Sequence, residues 1–164
     1  MKELLLDLAA YHYWANQRLL NLSGTLTDEQ LDRPTRSSFS SLRGTWYHLW
    51  DAEAIWMQRL QLADHVMLPS KGFSGSFQEF IPAYLQANQT TESFVARQSE
   101  PGLSHVVEYY NSRKEHFKSP VYQCLIQVFN HGSYHRGQAV TILRELGQER
   151  IPGTDYIGFK RRKK

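Results

Sequence analysis

Leu5, Leu8, Ala15, Leu19 and Leu22, with His12 among them, recur at alternating three- and four-residue steps. That spacing puts them on one face and predicts an amphipathic helix. Ser23 and Gly24 close it, and Thr27 ahead of Asp28, Glu29 and Gln30 reads as the N-cap of a short extra turn. After a polar loop over 34–41, a second helix is predicted over 41–61. It is apolar on two arcs: Trp46, Leu49, Trp50, Met57 and Leu60 cover one, while His48, Ala52, Ile55 and Trp56 lie beside it. Only Tyr47, Asp51, Ala54 and Gln58 read as facing solvent. Such a helix is either central in its domain or covered by a second copy of the chain, so a homodimer is expected.

Residues 69–76, with Gly72 and Gly75, read as a loop. A third helix is predicted over 77–98, its stripe carrying Phe80, Tyr84, Ala87, Thr91, Phe94 and Val95, with Pro82 tolerated in the first two turns. Pro101-Gly102 then breaks the chain. The β-rich run Val106–Tyr110 before Asn111-Ser112 predicts a small hairpin within 104–118. The last helix is predicted over 120–146, opened by Pro120 and closed by Gly147. No Asp, Glu, Lys or Arg occurs over 119–135, which predicts the most buried helix of the set. The fold expected is all-α: four helices around one core, plus the hairpin before the last helix.

At 164 residues and 41% hydrophobic content, the chain suits one globular domain and excludes a disordered or low-complexity one. Charges interrupt every stretch long enough to span a bilayer, so no membrane partner is expected. Glu3 and Asp7 interrupt what a secretion signal would keep apolar, so the opening residues read as helix. The single cysteine, Cys124, suits a reducing cytoplasm. The net charge of +3 belongs to residues 160–164, all basic: of 19 basic residues, 14 remain without them, against 16 acidic ones. We therefore divide the chain into one domain over 1–159 and a basic tail over 160–164. Binding of phosphates by such a tail is non-specific, and no sequence-specific nucleic-acid partner is expected.

The distinctive chemistry is His131-Gly-Ser-Tyr-His135. Residues four apart share a helical face, so both imidazoles can reach one ion. They lie on the stripe Cys124, Val128, His131, His135, Gln138 and Ile142, which faces the core. Two buried histidines bonded to carbonyls, hydroxyls or water would satisfy the same pattern. A metal needs a third ligand from another helix, and His12 and His48 both sit on core-facing stripes; spacing does not choose between them. His65, His105 and His116 have polar neighbours and read as exposed. Asp51, one turn after His48, reads either as acceptor for a histidine ring proton or as a solvated acid. Glu53 reads as a polar group at an interface. Gly132 and Gly137 read as allowing close backbone packing near the histidines, at a cost of about 1 kcal/mol each against alanine. Cys124 reads as a small buried hydrophobe, and Ser133 has no base or acid arranged around it.

These motifs resemble those of the DinB-like proteins. Trp14-Ala15-Asn16 with Leu19-Leu20, then His48 in His-Leu-Trp-Asp, are similar to that family's first two helices. Asn130-His131 with His135-Arg136-Gly137-Gln138 is similar to its last-helix motif, and Pro152-Gly153-Thr154-Asp155-Tyr156-Ile157 resembles its exit segment. The resemblance implies a four-helix bundle with an up-down-down-up arrangement, often a homodimer. It also implies a three-histidine site at His48, His131 and His135, selecting His48 over His12. Some relatives are thiol transferases or thiol-dependent isomerases, others hydrolases, so the implied co-substrate is a low-molecular-weight thiol. Three imidazoles would hold one divalent transition ion, zinc or nickel first, with iron, copper or manganese also accommodated. The alternative function is a non-catalytic metal-binding bundle with a structural, sensing or stress-response role.

Overall fold

A computed structural model describes residues 1–111 and 113–161. The chain is mostly helical, in the order α1 (Lys2–Ser23), α2 (Asp28–Asp32), α3 (Leu42–Leu60), α4 (Pro69–Gly72), α5 (Phe77–Arg97), α6 (Glu100–Ser104), strands β1 (Val106–Tyr110) and β2 (His116–Pro120), α7 (Val121–Glu145) and α8 (Tyr156–Lys160). Side chains start several of these helices. The Ser41 hydroxyl accepts from the Gly44 amide at α3, and Thr27–Gln30 and Ser76–Glu79 form reciprocal capping boxes at α2 and α5.

α1 packs on α5 and α7, and α3 packs on α7 and α5. The interior is layered. One apolar cluster holds Leu5 and Ala9 of α1, Met57 and Leu60 of α3, Phe94 and Val95 of α5, and Leu125 and Val128 of α7. The other holds Leu19 and Leu20, Trp46 and Leu49, Phe80 and Tyr84, and Ala139 and Ile142 from the same four helices. On each helix, polar residues between these clusters are buried: His12 and Asn16, Glu53, Asn88 and Thr91, and Arg136. A polar layer thus crosses the middle of the molecule, where the sequence predicts one continuous core.

The hairpin forms as an antiparallel pair, with Val106 opposite Pro120 and Tyr110 opposite His116, so β2 runs two residues past 118. Of the predicted turn, Ser112 lies outside the described residues. Two expectations change. Residues 69–72 form a helical turn rather than loop, because Pro69 occupies its first position. The break at Pro101-Gly102 is instead α6, capped by the Ser99 hydroxyl, since proline suits a first turn. α7 buries more residues than any other helix, as expected, yet it also exposes Gln123, Ile126, Gln127, Asn130 and Tyr134, whereas no residue of α3 is exposed. The charge-free run of α7 keeps a solvated face built from uncharged side chains, most of them polar.

The two apolar arcs of α3 are met within the chain. Trp46 is fully buried, against Tyr84, and Trp50 packs edge-on against Phe73 and Phe80. Tyr47, read from sequence as facing solvent, also lies against Phe80. A helical wheel does not show that Phe73, from beyond a loop, folds back onto this helix.

Candidate metal centre

α3 starts at its Ser41 cap and carries His48 in its second turn, while α7 carries His131 and His135 one turn apart on the face packed against α3. The seam between these helices brings the three rings together. His131 Nε2 lies 3.1 Å from His48 Nε2 and 3.1 Å from His135 Nε2. One nitrogen of each ring lies within 4.8 Å of the others, so the cluster could hold a metal ion; among the described residues no cysteine or carboxylate joins it. His135 is buried, and His48 and His131 are half-buried. Burial lowers all three pKa values, those of His48 and His131 to about 4, with the neighbouring imidazoles adding to the effect on both. Near neutral pH the rings are uncharged.

Two contacts fix ring orientation. His135 Nδ1 lies 2.7 Å from Gln138 Oε1, an acceptor, so Nδ1 carries the proton and Nε2 presents a lone pair to the cluster. The Gln138 amide in turn donates to Ser38 Oγ at 2.7 Å. Phe39 stacks on His48, with centroids 4.0 Å apart and planes 24° apart. Sequence reasoning placed Gln138 on the right stripe without a role and passed over Ser38 and Phe39 in a polar loop. The signal for Gln138 was its i+3 spacing from His135; a lone aromatic in the loop was the signal for Phe39. A cavity of about 320 Å³ opens beside Gln138, with Arg36, Ser38, Thr141 and Glu145 among its lining residues.

The other candidates go elsewhere. His12 belongs to the buried polar layer: Arg136 Nη1 donates to its Nδ1 at 3.1 Å, which leaves Nε2–H to donate to Glu53 Oε2 at 3.1 Å. Glu53 is therefore not an interface group; it also accepts from Asn88 at 2.7 Å and Thr91 at 2.6 Å. A carboxylate with those partners stays buried because both of its oxygens are hydrogen-bonded. Asp51 does not reach a histidine: it accepts from the Ser70 amide and hydroxyl at 2.9 and 2.6 Å, tying α4 to α3. Gly132 fulfils its expectation, since a Cβ there would lie 2.4 Å from His12 Cε1. Gly137 does not; nothing lies within 4 Å of its missing Cβ. Cys124 is buried in the core, and His65, His105 and His116 are exposed.

The fold and this cluster define a predominantly helical protein with a three-imidazole site able to hold a metal ion. The DinB family model matches residues 1–163, and the chain belongs to the DinB family, as the last-helix motif implied. It is 26% identical to Protein DinB of Bacillus subtilis (strain 168) over 165 residues, 95% of this chain and 93% of that one. The crystal structure of a DinB-like protein from Bacillus cereus ATCC 10987 aligns with a TM-score of 0.70 at 19% identity, covering 88% of this chain and 91% of that chain. At that identity the likeness speaks to the fold.

Proposed function

We propose that this chain is a divalent-metal-binding protein that works as a metal-dependent enzyme of thiol S-transferase or hydrolase type, with His48, His131 and His135 as ligands. The convergence of the three Nε2 atoms carries the reading. The donor set fits a transition ion. Burial keeps the rings neutral, and Gln138 turns the His135 lone pair inward. Neutral imidazoles suit zinc or nickel first, with iron, copper or manganese also accommodated. Such an ion supplies Lewis acidity, which favours the deprotonated form of a thiol or water presented to it. Around it, Gln138 holds the His135 proton on Nδ1 and Phe39 shields one face of the His48 ring from water.

The alternative is a metal-binding bundle without catalysis. Three protein ligands among the described residues favour the enzyme, because structural sites close with four. The test is cobalt substitution followed by titration with low-molecular-weight thiols. Saturable appearance of a thiolate charge-transfer band, absent in His48→Ala, supports the transferase reading. A spectrum indifferent to thiols and small anions overturns the enzyme reading in favour of a structural role. His135→Ala should lose most bound metal, while His12→Ala should not.

The proposal extends to the whole molecule. We read the four long helices as an up-down-down-up bundle: α1 and α7 begin in one apolar cluster and end in the other, while α3 and α5 run in reverse. We read one domain, its end moved from 159 to the close of α8 at Lys160, a cytoplasmic location, and no sequence-specific nucleic-acid partner. No helix among the described residues is long and apolar enough to cross a membrane. Homodimerisation stays in the proposal but no longer rests on α3; its support is the resemblance to a family that is often homodimeric.

A further inference from the structure

We infer that the 33–41 loop is a positioning strap for the three-histidine cluster: Ser38, through Gln138, and Phe39, directly, orient two of the three imidazoles, so that zinc affinity depends on the loop being closed. The inference rests on the metal reading above and adds residues to it that are not themselves ligands.

An imidazole can present either nitrogen to a neighbour, and its tautomer follows the partner of the other one. For His135 that partner is the Gln138 carbonyl at 2.7 Å. A side-chain amide can present either end, however, and if its NH2 faced His135 the proton would be forced onto Nε2 and the lone pair lost from the cluster. The Ser38 hydroxyl accepts from the Gln138 amide nitrogen at 2.7 Å and so anchors that side chain with its carbonyl against His135. The next residue, Phe39, lies flat on His48 and approaches His135 with centroids 5.6 Å apart. Two adjacent loop residues therefore act on ligands from two helices. The loop is itself drawn together by the Thr35 amide, which donates to the Ser40 carbonyl at 2.9 Å. Ser38 and Arg36 are exposed and Phe39 is half-buried, so little apolar burial opposes opening. By linkage, if closure strengthens zinc binding, zinc must favour closure by the same factor.

Two measurements on the full chain test this. Zinc affinity is measured by competition with a chromophoric chelator for the wild type, His48→Ala, Gln138→Leu, Gln138→Glu and Ser38→Ala, with circular dichroism confirming helix content in each. Gln138→Leu is expected to weaken zinc binding about 10- to 100-fold, the usual effect of removing a ligand's hydrogen-bond partner. Gln138→Glu keeps an acceptor for Nδ1–H and should stay within about threefold of the wild type. Ser38→Ala should fall between them. Separately, trypsin cleavage after Arg36 (the Arg33–Pro34 bond resists it) reports loop opening, and zinc should slow it in the wild type but much less in Gln138→Leu. Wild-type affinity in both Gln138→Leu and Ser38→Ala, alongside a loss in His48→Ala, overturns the strap and leaves the metal site standing. Zinc-independent cleavage at Arg36 in the wild type also overturns it. Equal zinc binding by the wild type and His48→Ala refutes the metal reading itself, and the strap with it.

Discussion

At the scale of single residues, the three histidines carry a definite pH signature in the metal-free protein. His48 and His131 have folded pKa values of about 4, held down first by burial and then by the neighbouring His135 imidazole. In the unfolded chain a histidine titrates near 6.5. Between these values the unfolded state binds more protons than the folded one, so stability is fully present above pH 6.5 and is lost as pH falls toward 4. Urea midpoints should therefore decline over that window, and less steeply in His131→Gln. Equal slopes would mean the rings are not desolvated as described. The two helical glycines make a second, paired prediction. Gly132→Ala drives a methyl into the His12 ring, an overpacking expected to destabilise the fold by about 1–3 kcal/mol. Gly137→Ala meets nothing and should stabilise by about 0.5–1 kcal/mol through helix propensity. Thermal denaturation of the two variants should shift in opposite directions.

Among elements, the decisive arrangement is the polar layer that joins all four long helices. Glu53 of α3, His12 and Asn16 of α1, Asn88 and Thr91 of α5, and Arg136 of α7 bond to one another between two apolar clusters. Glu53 and Arg136 carry the opposite charges, and His12 bridges them. Glu53→Ala strands Arg136 in the interior and leaves the His12 and Asn88 donors unmatched, which should cost about 3–5 kcal/mol in urea unfolding. Glu53→Gln keeps acceptor and volume and should cost less. A loss below 1 kcal/mol for Glu53→Ala would mean water enters the layer. The same layer explains why spacing could not separate His12 from His48. Both lie on buried stripes, but Gly132 admits His12 into the layer beside Arg136, while His48 sits on the α3–α7 seam.

For the whole molecule, the end of the chain falls differently from its charge pattern. Lys160 is the last residue of α8 and donates to Asp7 at 2.7 Å, and Phe159 is buried against Tyr11 and Trp14. The fold therefore extends past 159, and residues 162–164 of the basic tail lie outside the described ones. Truncation after Arg161 should leave the thermal midpoint unchanged. Truncation after Gly158 removes the Phe159 packing and should cost about 3 kcal/mol or more. Light scattering at micromolar concentration checks the proposed homodimer. If a dimer forms, tryptophan fluorescence should change little on dilution to monomer, because each tryptophan packs within one chain, Trp46 on Tyr84, Trp50 on Phe73, Trp14 on Phe159 and Trp56 on Tyr109.

Periodicity alone determined the four long helices and the hairpin, because capping residues, prolines and the 3.6-residue repeat act locally and leave their mark in adjacent positions. The His131–His135 pair was legible for the same reason. The resemblance carried by His-x-x-x-His-Arg-Gly-Gln named the third histidine, and only the packing of α3 on α7 brought His48 to the other two. Tertiary structure alone decided the partners of Glu53 and Asp51, the covering of α3 by Phe73 and Phe80, and the reach of Ser38 and Phe39 to the site. Each of those contacts joins residues far apart in the chain. A one-dimensional pattern shows which face of a helix avoids water, but it does not show which other segment will cover that face.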